Sequence, residues 1–165
     1  MRKTLLLTLI LAFATTVFAN TPLAQIINEL PELKSTECKF RQEKFLPSSN
    51  ITLKSSGDFR FEKDKGVTFY TTYPIKSTAS YTSKEYRHIN NVITAISNKS
   101  YLRLEKDFTF FFEKSGSVWD LKLVPKNDSA VSNYLKSIEI QGQDEIKKIV
   151  ILASDSTRTA IYFSR

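Results

Sequence analysis

Few residues in this chain could do chemistry. There is a single histidine, His88, and a single cysteine, Cys38. A zinc site takes about three or four ligands, more than this pair supplies. A serine nucleophile raised on a strained turn needs a G-x-S-x-G segment. The four glycines stand at 57, 66, 116 and 142 and never come that close. The same spacing leaves no glycine-rich cradle for phosphate. No acidic pair sits on an apolar strand face, where burial would raise a carboxyl pKa. His88 reads as a surface side chain on a strand. Cys38, between Glu37 and Lys39, reads as a small buried thiol. The inventory points away from an enzyme, and no metal or cofactor is expected.

What the chain offers instead is apolar side chains in alternation. Residues 55–74 read SSGDFRFEKDKGVTFYTTYP, with Phe59, Phe61, Val67 and Phe69 separated by polar neighbours. Residues two apart share one face of a strand, so these aromatics form a row. Cys38, Phe40 and Gln42 alternate with charged residues, and Ile51, Leu53, Ser55 and Gly57 lead into the Phe59 row. Such patterns mark antiparallel strands with one face in water. Residues 63–66 make a hairpin turn, and Pro74 closes the return strand, which begins at Gly66. A polar strand is expected over 77–82. Residues 86–89 and 92–96 flank Asn90 and Asn91 as a tight hairpin.

The second half repeats the habit. Residues 108–112 and 118–124 flank a turn at 114–117, and Pro125 stops that hairpin. One helical turn fits 129–134. Further strands are expected over 137–141, 146–152 and 159–164, and 97–107 reads as a short helix or flap. At the front, Thr21 as N-cap and Pro22 at the first position open a helix over 22–33, with Leu23, Ile26, Ile27 and Leu30 on one side. One helix followed by many short strands predicts a mainly β protein, a curved sheet or barrel. The inward row would hold Phe40, Leu53, Phe59, Phe61, Val67 and Phe69, then Phe110, Phe112, Trp119, Leu121, Leu123, Ile138 and Ile140. Alternation alone leaves two uses for it: packing of a solid core, or the lining of a hollow.

The first 19 residues have the layout of a secretory leader. Arg2 and Lys3 precede an almost continuously apolar run from Leu5 to Val17, and Val17-Phe18-Ala19 fits a small-residue cleavage site. The run is short against the ~20 residues that span a bilayer. Asn20 follows, not a lipid-acceptor cysteine, so residues 20–165 are expected to form one soluble domain. Losing Arg2 and Lys3 leaves 22 basic against 17 acidic residues, a net charge near +5. The charges are interspersed, whereas a nucleic-acid partner wants a concentrated basic stripe.

Several segments, in order, resemble the LolA family of periplasmic lipoprotein carriers. Phe40-Arg41-Gln42 with Lys44 resembles its F-x-Q-x-K opening, and SSGDFRF its S-x-G-x-hydrophobic-x-hydrophobic strand. GVTFYTTYP resembles its next element, with Phe69 in the place of a tryptophan and Pro74 in that of the proline. WDLKLVPK, from Trp119 to Lys126, resembles W-x-L-x-L-x-P-K, and Ile138 to Gly142 followed by Ile146 matches the pattern near the family's end. The resemblance spans nearly all of the chain after the leader.

It implies an incomplete antiparallel β-barrel, a strongly curved single sheet with a short N-terminal helix and a small helical lid. The cavity would hold acyl chains of a lipoprotein or another lipid. It also implies a periplasmic monomer that takes cargo from an inner-membrane ABC release complex and yields it to a LolB-like outer-membrane acceptor. The same fold serves as an envelope sensor or interaction module, which is the alternative. Two features depart from the family. Lys63 stands where an arginine latches the lid, and a lysine lacks the forked donor set. Residues 75–107 are also shorter than in the best-known carriers, closer to divergent members that serve other lipids. N-terminal sequencing of the protein from its own cell envelope is expected to begin at Asn20; an intact Met1 in a membrane fraction would overturn the leader assignment.

Overall fold

The structure is a computed structural model, and it describes residues 22–30, 35–63, 65–80, 87–98 and 102–165. The expected leader, Thr21, and the end of the expected first helix (residues 31–33) lie outside these. A helix α1 spans Leu23–Glu29, shorter than the helix expected over 22–33: Pro22 is its cap rather than its first helical residue, and Leu30 is already extended. Strands β1 (Thr36–Leu46), β2 (Ile51–Glu62), β3 (Gly66–Tyr73) and β4 (Ser77–Ser80) follow. Two helices come next, α2 (Arg87–Ser97) and α3 (Leu102–Glu105). Then come β5 (Phe108–Ser115), β6 (Val118–Pro125), a 3₁₀ turn at Ala130–Asn133, β7 (Leu135–Gly142), β8 (Ile146–Ala153) and β9 (Arg158–Ser164).

The nine strands form one antiparallel sheet in the order β4-β3-β2-β1-β9-β8-β7-β6-β5. The chain runs outward from β1 to β4, passes through α2 and α3, and returns from β5 to β9. There β9 pairs with β1 from Lys39↔Ser164 to Phe45↔Arg158. The sheet is not closed into a barrel, since β4 and β5 are its two edges.

Register carries the alternation across strands. Phe40 faces Gly57 and Phe163, Phe59 faces Phe69, and Leu121 faces Ile140, which faces Ile149. All these side chains share one face, and α1, α2 and α3 add Ile26, Leu30, Val92, Ile93, Ile96 and Leu104 to the same buried cluster. Phe69 is fully buried, its ring 5.1 Å from those of Phe40 and Phe59. The opposite face carries charged cross-strand pairs: Lys39 with Asp58, Arg60 with Glu37, and Lys122 with Glu139. Exposed pairs of this kind stabilise little, but they favour this register over its neighbours.

The expected hairpin over 86–96 is replaced by a different element. Residues 86–89 and 92–96 are not a hairpin; 87–97 form the helix α2. Ile89, Val92, Ile93 and Ile96 recur at three- and four-residue spacing, a helical period that outweighs the turn signal of Asn90-Asn91. The helix buries Val92, Ile93 and Ile96, which a strand would have sent to opposite faces. Asn90 Oδ1 accepts a hydrogen bond from Val67 N at 3.1 Å and ties the helix to β3.

Gly57 sits where the β2–β3 register shifts, a β-bulge. A Cβ there would stand 2.0 Å from Tyr70 O and 2.9 Å from Thr71 Cα. Only glycine lets the two backbones approach so closely. Gly57→Ala is expected to lower stability by about 1–3 kcal/mol, the usual cost of overpacking, in urea unfolding. An unchanged midpoint would overturn the close approach.

Candidate functional site

The β1–β9 ladder begins only at Lys39, so β1 runs past the end of β9 at its first residues. At that end β1 has no partner on its β9 side, and a cavity of about 720 Å³ lies between the start of β1, the end of β2 and the β7–β8 turn. Its apolar lining is Phe59 and Phe61 from β2, Phe163 from β9, Ile146 from β8 and Ile93 from α2. Ser35, Thr36 and Cys38 line the β1 side. Gln143, Asp144, Glu145, Lys147 and Arg165 form a polar rim. A second, more open recess of about 650 Å³ shares Cys38, Phe59 and Arg165 and reaches the Lys39–Asp58 pair.

The rim is held from beneath. Trp119 is buried, and its Nε1 donates to Gln143 O at 2.6 Å. Gly142 lies against the indole: a Cβ there would stand 2.4 Å from Trp119 Cζ2 and 2.7 Å from Glu145 O. Trp119 thus fixes the β7–β8 turn, and through it the position of Glu145. Glu145 is ion-paired with Arg165 and, at 3.7 Å, with Lys147. Burial is the main cause that pushes the Cys38 thiol above its ordinary value of 9.0, and Glu145 adds to it. Lys147 and Arg165 pull the other way.

Of the residues expected to face inward, Phe59 and Phe61 border the cavity. Phe40, Val67, Phe69, Phe110, Phe112, Trp119, Leu121, Leu123, Ile138 and Ile140 are buried together in the packed cluster and do not border it. Leu53 has the parity of the inner row, but β3 stops pairing with β2 at Ser56, and the side chain is 51% exposed. Lys63 lies exposed in the β2–β3 turn, its backbone N–H donating to Ser35 Oγ at 3.3 Å. His88 falls within α2 rather than in a strand.

The lining that sequence reasoning did not anticipate is Ile93, Phe163, Ile146 and the rim. Phe163 was within reach, because it alternates with Ile161 as Phe59 does with Phe61. Ile93 needed the helical reading of 87–97. Among the described residues no group of three or more His, Cys, Asp or Glu could hold a metal, and no helix is long and apolar enough to cross a membrane.

The fold and site together define an open antiparallel sheet with a recess lined by both apolar and ionic side chains. No protein-family model matches the chain, and no curated protein matches it.

The recess gives Cys38 a testable chemistry. The thiolate is the nucleophile, so a raised pKa means slow alkylation near neutrality and a rate that climbs on the alkaline side. The sign for stability follows: the neutral thiol's contribution is complete below the ordinary value and is lost as pH rises through the folded one. At fixed pH, Glu145→Gln is expected to speed alkylation and Lys147→Gln to slow it. Iodoacetamide labelling followed by mass spectrometry measures both, and equal rates in the two variants would overturn the assignment.

Proposed function

We propose that this protein is a soluble carrier that holds an acyl chain in the recess between β1, β2 and the β7–β8 turn. The observation that carries the reading is the cavity of about 720 Å³, lined by Phe59, Phe61, Phe163, Ile146 and Ile93 together with the ionic groups of the β7–β8 turn and Arg165. Its volume falls in the ~300–1,000 Å³ range of small-molecule sites. An acyl chain gains ~0.8 kcal/mol for each CH₂ taken from water, so binding needs no catalytic group. The ionic rim suits a molecule whose other end is polar.

In this reading the sheet is an incomplete barrel, and α1, α2 and α3 form a small lid over its apolar face. The protein works as a monomer in the periplasm after its leader is removed. It shuttles lipoprotein acyl chains, or another lipid, from an inner-membrane ABC release complex to a LolB-like acceptor at the outer membrane. The ordered resemblance of the strand motifs to the LolA family supports this, as does the open antiparallel sheet. It acts by binding and release and not as an enzyme.

Displacement of a fluorescent fatty acid tests the reading. The folded parent is expected to bind the probe. Attaching a bulky maleimide to Cys38 after folding fills the β1 side of the recess. Displacing even two methylenes is expected to weaken probe binding about tenfold at ~0.8 kcal/mol each. Phe69→Glu is expected to unfold the protein instead, because it buries an unpaired charge in packed core. A Cys38 adduct that binds the probe as tightly as the parent would sink the assignment.

A further inference from the structure

The far end of β1 and β2 is built differently from the rest of the sheet. The last β2 residue with a β3 partner is Ser56, opposite Tyr73, and the last β1 residue with a β9 partner is Phe45, opposite Arg158. The end of the β1–β2 ribbon is therefore open: residues 51–55 pair with β1 alone and leave their other edge free, and the turn from Leu46 to Ile51 extends past both β3 and β9. Every residue from Pro47 to Lys54 is exposed. Among them Ile51 is 49% and Leu53 51% exposed, and the adjoining β3–β4 turn leaves Tyr73 60% and Ile75 76% exposed. Aliphatic side chains at a projecting tip lose contact with water only if something else covers them.

The charge pattern says what that is. From residue 44 to 57, and again from 66 to 80, the sequence holds Lys44, Lys54 and Lys76 and no aspartate or glutamate. The rest of the tip is hydroxyl-bearing: Ser48, Ser49, Thr52, Ser55, Ser56, Thr71 and Thr72. The carboxylates nearest in the ladders are already engaged. Glu43 stands opposite Lys54 in the ladder but is ion-paired with Arg41 at 3.1 Å, and Asp155, which feels the charge of Lys44, accepts from Thr157 N at 2.8 Å. Elsewhere on the sheet acidic and basic groups alternate, as in Lys39 with Asp58 and Lys122 with Glu139.

Isoleucine and leucine at the extremity, with lysines outnumbering the carboxylates behind them, fit one environment. Apolar side chains enter the boundary between headgroups and acyl chains, while lysines meet a negative surface potential. We infer that the β1–β2 ribbon, with the β3–β4 turn beside it, docks on the surface of an anionic lipid bilayer. This does not depend on what the recess binds, which lies at the opposite end of β1 and β2.

The test is cosedimentation of the full chain with vesicles of phosphatidylcholine, alone or mixed with phosphatidylglycerol. Binding is expected to the mixed vesicles only, and to weaken with salt as charges are screened. Ile51→Ser combined with Leu53→Ser, and separately Lys54→Glu combined with Lys76→Glu, are each expected to lower partitioning on the order of tenfold. These positions are exposed, so the melting temperature and fatty-acid probe binding are expected to match the parent. Leu53→Trp is expected to add a blue-shifted emission with mixed vesicles. All variants carry the same first segment, so its contribution is common to them. Equal binding of the parent to both vesicles, or to neither, would overturn the inference. So would tip variants that partition like the parent, or vesicle binding abolished by saturating fatty acid.

Discussion

The ladder between β1 and β9 holds the rest of the structure in place. It joins a four-stranded half built from the first part of the chain to a five-stranded half built from the second. Phe40 sits at this seam, facing Gly57 on one side and Phe163 on the other. Without the seam, the two apolar faces would be separate and each half-exposed. With it, the aromatics of β2 and β3 and the aliphatics of β6, β7 and β8 belong to one buried cluster. The recess lies where this ladder stops, since Thr36 and Cys38, which precede Lys39 and have no β9 partner, line it.

The apolar face has two textures. Over most of its area it is solid: Phe69 against Phe40 and Phe59, and Trp119 over Gly142, leave no room for another methyl group. Burying each large side chain there contributes about 1.5–3 kcal/mol, which is what lets a chain without any disulfide keep its sheet together. At the open end the same face turns into a wall. Phe59 belongs to both regions, touching Phe69 and Phe163 in the core and bordering the cavity. A site supported on packed aromatics keeps its shape while empty, whereas one made of loops would collapse.

The mainly β class was legible in the sequence because alternation is a local property. Phe59, Phe61 and Phe69 announce their shared face through their immediate neighbours, and the turns at 63–66 and 114–117 lie where Gly66 and Gly116 adopt positive φ. The 87–97 segment was misread because its helical period competes with a strong turn signal over few residues. The recess was less legible still. Its walls come from Thr36, Phe61, Ile93, Gln143 and Phe163, five stretches that only the strand order brings together. Nothing local tells Phe61, a core residue that also borders the recess, from Phe69, which lies wholly in the core; the difference is where a ladder on another strand ends. Leu53 makes the same point in reverse, since its parity is right but its neighbouring strand has run out.

The seam has a consequence for the order in which the molecule can be assembled. Lys39 and Ser164 meet across nearly the whole described chain. Closing so long a loop costs entropy that grows only with the logarithm of its length, yet non-local pairings of this kind slow folding. Hairpins such as β2–β3 and β5–β6 can form on contact with their neighbours. The recess cannot, because Phe163 arrives with the last strand and Cys38 waits on the first. A chain in which β9 has not yet paired has strands and turns, but its recess lacks the wall that Phe163 supplies.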